Sequence, residues 1–128
     1  MTTDPTLLAD LAAASGPDRE LDARVALCAG WKKPGHHGGY SEIVGVRPGG
    51  RGFAAVPRYT ASIDAALTLV PEGWGWKADC GLGFGHSFTV GHVGVNKLFD
   101  RPEGWGKAAT PAIALCIAAL KARESTNA

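Results

Sequence analysis

The last third of the chain places the tightest constraint on what it can fold into. Thr110-Pro111 reads as a helix start, a capping hydroxyl followed by a proline whose missing N–H costs nothing in a first turn, and the helix is expected to run to about Glu124. Ile113, Cys116, Ile117 and Leu120 recur at intervals of three and four, yet Ala112, Leu115, Ala118 and Ala119 make the other side apolar too. A helix apolar on nearly every side has to be covered on more than one side. It either lies deep in a layered domain or contributes to an interface between copies of the chain.

The rest of the chain supplies the layers. Leu7, Leu8, Leu11 and Ala12 mark a first helix over Asp4 to Ser15. A second is expected to start at Pro17, with Asp18 and Glu20 at its positive end, Leu21, Val25 and Cys28 as its stripe, and Gly30 as its end. Thr60 is a plausible N-cap for a third, with Ile63, Ala66, Leu67 and Val70 facing inward until Pro71-Glu72-Gly73. Trp74, Trp76, Ala78 and Cys80 alternate with Gly75, Lys77 and Asp79, and Phe88, Val90 and His92 with Thr89, Gly91 and Val93. That period predicts two antiparallel strands turning through Gly81 to Gly85. Between Trp31 and Pro57, where glycine recurs at 35, 38, 39, 45, 49, 50 and 52, neither period holds. This predicts a Gly-rich loop or insert over about 32–57 with at most one short strand, Ser41 to Val46, and a further loop carries Trp105. The fold class is α+β, a small antiparallel sheet sandwiched between helices. With 128 residues, one core and one domain are expected.

Charge and composition narrow the classes of function. Thirteen basic and twelve acidic side chains give a net charge of +1, so the electrostatic term that drives nucleic-acid binding is absent from the sum, although a local basic patch is compatible with it. Nucleic acid is therefore not the expected partner. The longest apolar run, Ala112 to Leu120, is far short of a membrane span, and Asp4 and Asp10 stand where a signal peptide would be basic, so no membrane and a cytosolic setting are expected. Cys28, Cys80 and Cys116, odd in number and widely spaced, read as buried small hydrophobes. Several apolar helix faces and exposed tryptophans are hard to cover with one short chain, which predicts a homodimer or higher homo-oligomer.

The chemistry-bearing candidates are few. His36, His37, His86 and His92 lack metal-ligand spacing, with no CxxC or HExxH pattern, so no metal and no cofactor are expected. A Cys80–His86 nucleophile and a phosphate loop at Gly81-x-Gly83-x-Gly85 are weaker than their structural alternatives, an inert thiol and a tight turn. Trp74, Trp76 and Trp105 sit at or beside glycines, and Tyr40 and Tyr59 add rings with polar tips. Rings beside bare backbone make stacking platforms for planar ligands or anchors for proteins, the competing account being that they cap the sheet ends. Arg58, Tyr59, Thr60, Ser62 and Asp64 gather at one helix start, where amides and a cation could receive an anion or simply cap the helix. With His86, these residues form the expected ligand-binding set.

Three stretches, Gly16 to Arg24, Arg58 to Trp74 and Thr110 to Arg123, together resemble the phage ABA sandwich domain family; their order is the specific part, with Trp74 directly after the Pro71-Glu72-Gly73 turn. The resemblance implies a small sheet between helices in a protein carried by bacteriophages or prophages, and it brings no catalytic motif. The expected function is that of an accessory binding protein acting against host defence, by sequestering a nucleotide-like immune signal or masking a defence protein. A small hydrolase using His86, His92 or Asp79, or a structural or replication adaptor without a small ligand, are the alternatives.

Overall fold

The computed structural model describes residues 5–71, 73–80, 86–92 and 101–126. Among them, four helices and two small three-stranded antiparallel sheets pack into an α+β sandwich around one core cluster. The turn from Gly81 to Gly85 and the side chains of Asp79, Cys80 and His92 lie outside the described residues.

Helix α1, Pro5–Ala13, buries Leu7 and Leu11, one turn apart on a single face. Helix α2, Arg19–Cys28, starts one cap later than its proline suggests. Asp18 is the N-cap, its carboxylate accepting from the backbone N–H groups of Glu20 and Leu21, and Pro17 stands outside the helix. The region expected to be a loop forms a sheet instead: β1, Lys32–Gly35, β2, Val44–Val46, and β3, Ala54–Ala55, pair antiparallel in that order. These strands are too short, and too interrupted by glycine, to leave a period in the sequence.

Helix α3, Ile63–Leu67, is capped by Ser62, whose hydroxyl accepts from the N–H of Ala65. Thr60, expected as the cap, is instead fully buried: its N–H and its hydroxyl both donate to Asp22 Oδ1, at 2.7 and 2.6 Å. The shift changes which side of the helix faces in. Ala66 and Leu69 are buried, Leu67 and Val70 only partly, and Ile63, expected inside, is 40% exposed.

Strands β4, Trp74–Cys80, β5, His86–His92, and β6, Arg101–Ala108, form the second sheet. The first two follow the alternation, with Trp76 opposite Val90 and Ala78 opposite Phe88. The third replaces the expected Trp105 loop; Pro102, which has no N–H for the ladder, sits opposite Gly91 where the register shifts. Gly106 lies so close to the final helix that a Cβ there would fall on backbone atoms of Ala114 and Ala118.

That helix, α4, Pro111–Thr126, starts as expected, with the Thr110 hydroxyl accepting from the N–H of Ile113. It packs on β5 and β6 and also on α1 and α3, and Ala112 to Leu120 are buried without exception. Its all-round apolar character is thus satisfied inside the chain, so the helix gives no reason for self-association; the exposed tryptophans still do.

The core holds two acids that stay protonated. Burial pushes the Tyr59 phenol above its ordinary value, opposed in part by a hydrogen bond to Trp31. Burial, with the charge of Asp22, drives the Cys116 thiol far up as well, and that thiol donates to the Tyr59 carbonyl at 3.2 Å. In the unfolded chain the two ionise near their ordinary values of 10.0 and 9.0, so above about pH 9 the unfolded state binds fewer protons than the native one and stability falls as pH rises. For the Cys116 thiol the slope approaches ~1.4 kcal/mol per pH unit above its ordinary value of 9.0, and Tyr59 adds to the fall in the same direction above 10.0. The urea midpoint should therefore decline between roughly pH 9 and 11, with a delayed onset in Cys116→Ala; a flat midpoint across that range rejects the effect.

Candidate binding surface

The rings of the expected ligand-binding set do not gather in one place. In the second sheet, Trp74, Trp76, Phe88 and Val90 share the face that α4 covers. Trp74 is partly buried against the core. Trp76 belongs to edge strand β4 and overhangs the core, 44% exposed, its ring 5.8 Å from that of buried Phe88. Trp105 points the other way, 52% exposed, in one cross-strand row with Thr89 and Lys77. His86 opens β5, half-buried, opposite Cys80 and Ala108.

Tyr40 belongs to a third group that the sequence did not disclose. It lies in the β1–β2 connection, and its ring meets Phe53, from the β2–β3 connection, edge-on at 5.5 Å; Phe53 in turn packs on His37 at 4.5 Å. Gly39 and Gly52, with φ of +89° and +74°, stand directly before Tyr40 and Phe53. Such left-handed turns are open to glycine at little cost, and they fold the two connections over each other. Tyr40 and Phe53 remain exposed.

The residues expected to receive an anion at the start of α3 are engaged otherwise. Tyr59 and Thr60 are buried, Ser62 caps its own helix, Asp64 places a negative charge in the first turn, and exposed Arg58 pairs with Glu42 at 2.9 Å. Tyr59 and Thr60 are core residues in this fold and line no surface. What the cluster does build is a buried junction. Asp22 accepts from Thr60 through one oxygen and pairs with Arg19 at 2.8 Å through the other. Arg19 donates further to the carbonyls of Val56, Pro57 and Ile43, at 2.9, 3.3 and 3.4 Å. Arg19 and Asp22 were not among the expected residues, because their partners lie 24 to 38 positions away.

A cleft of about 250 Å³ between α2 and β1 is lined by Glu20, Arg24, Leu27, Pro34 and His36 among others. His36 closes it with a 2.8 Å contact to Glu20. Among the described residues, no group of three or more His, Cys, Asp or Glu side chains could hold a metal ion, and no helix is long and apolar enough to cross a membrane. No protein-family model, no curated protein and no solved structure matches the chain, so the resemblance to the phage family is carried by its three segments alone.

Proposed function

We propose that the protein works by binding, one ligand per chain, and that the ligand is planar and anionic, as a nucleotide is. The observation that carries this reading is the contact of Phe53 with Tyr40 and His37 at the surface of the first sheet. Exposed rings beside glycine offer stacking area at low conformational cost, and the core is complete without them. In the setting the resemblance implies, the protein is a phage accessory in the host cytosol, and its ligand is a nucleotide-like signal of host defence. Trp76 and Trp105, exposed on a single chain, make a homodimer part of the same reading.

Equilibrium dialysis against nucleoside mono-, di- and triphosphates, cyclic dinucleotides and short oligonucleotides, with mass analysis of what is recovered, tests the proposal. Saturation near one ligand per chain, with the ligand unaltered, is the expected result. Conversion of an excess of ligand, lost in His86→Ala or Cys80→Ala with the fold intact, would establish an enzyme instead.

A further inference from the structure

The net charge of +1 conceals an uneven distribution. Residues 31–58 contain Lys32, Lys33, Arg47, Arg51 and Arg58 against one acid, Glu42, so the rest of the chain is net acidic. Arg58 and Glu42 neutralise each other. The remaining four cations are exposed and, among the described residues, form no salt bridge. They belong to the same sheet as the rings, Lys32 and Lys33 to β1 and Arg47 and Arg51 to the β2–β3 connection. Lys32 pairs across the sheet with Val46, next to Arg47; the Arg47 carbonyl closes the turn to Gly50; Arg51 precedes Phe53 by two residues; and the Lys33 carbonyl accepts from the His37 ring at 2.8 Å.

Resting on the binding reading above, the geometry points to single-stranded nucleic acid as the ligand of this sheet and its two connections. A single nucleotide stacked on open rings gains little cover, whereas a strand adds contacts along its length. The rings of Tyr40 and Phe53 stand on exposed connections. A strand suits that arrangement, since its phosphates can follow separate cations while unpaired bases stack on Phe53 and Tyr40. Double-stranded nucleic acid keeps its bases stacked on each other and leaves the rings without a partner.

Fluorescence anisotropy with a labelled 12-nucleotide pyrimidine strand over a range of salt concentrations tests this. Affinity should fall with salt with a log–log slope of roughly −3, as expected for about four phosphate contacts. Arg47→Ser with Arg51→Ser should flatten that slope by about 1.4, because two contacts are lost. Phe53→Leu should weaken binding about tenfold with little change of slope, and Lys121→Ser, an exposed cation on α4, should change neither. Each variant is checked by its thermal midpoint, which substitutions at these exposed positions should leave in place. If a cyclic dinucleotide or a duplex of the same length binds as tightly as the strand, this inference fails while the binding reading stands. If neither strand nor free nucleotide binds, both fail. Equal binding of polyglutamate, or a salt slope unchanged by the double arginine variant, also overturns the strand.

Discussion

Asp22→Ala should cost about 3–5 kcal/mol, a large share of the roughly 5–15 kcal/mol that holds an ordinary domain folded. The carboxylate is 1% exposed and serves three donors: the Thr60 N–H, the Thr60 hydroxyl and the Arg19 guanidinium. Arg19 is partly accessible and keeps its carbonyl partners, above all Val56 at 2.9 Å, so its loss is tempered. The Thr60 hydroxyl can turn to the Asp18 carbonyl at 3.2 Å, but the Thr60 N–H has no second acceptor among the described residues. Thr60 is fully buried, and an amide left without an acceptor in the core costs about 1–3 kcal/mol by itself. Asp22→Asn, which retains one oxygen for Thr60, should therefore cost less than half as much. Urea unfolding of the two variants measures the difference, and a loss below about 1 kcal/mol for Asp22→Ala would show that water takes the place of the carboxylate.

Gly106→Val should destabilise by about 3 kcal/mol or more, at or beyond the upper end of overpacking costs. A Cβ on Gly106 would meet the Ala114 carbonyl, the Ile117 Cβ at 2.7 Å and the Ala118 amide nitrogen at 2.8 Å. Two of these three are backbone atoms of α4, so no rotamer change relieves the clash; the helix must move off the sheet. Gly38→Ala provides the comparison, since a Cβ there meets nothing within 4 Å, and a surface change of that kind stays within about 0.5 kcal/mol. Similar melting of the two variants would reject the close helix–sheet contact.

The same close contact explains part of what the sequence could and could not disclose. Helix α4 was legible because a capping threonine, a proline and an unbroken apolar run are local signals. Strands β4 and β5 were legible because their alternation matches their register, residue for residue. Strand β6 was hidden by Pro102, Gly104 and Gly106, and Gly106 is needed by a helix that begins five residues later. Thr60 looked like a cap because threonine before an apolar stripe usually is one; its true partner, Asp22, is distant in sequence. The candidate surface was half visible. Tyr40, Trp76 and Trp105 were singled out and are exposed, whereas Phe53 and His37 acquire meaning only when two hairpin connections cross. The basic character of that region could have been read from a count by segment, which the whole-chain sum erased.

Arg19 has a consequence for the history open to this protein. Its guanidinium reaches the carbonyls of Ile43, Val56 and Pro57, and the Val56 N–H bonds the Ile43 carbonyl at 3.1 Å, so the stretch from 44 to 55 leaves and re-enters the core at one stapled point. The entropy of closing that stretch is met at the staple, and it grows only slowly with the length enclosed. Descendants of such a chain can lengthen, shorten or recharge the exposed 47–53 connection while β2 and β3 keep their pairing and the helices their places, as a tool handle accepts new heads. Change in that exposed connection is thereby separated from the stability of the fold beneath it.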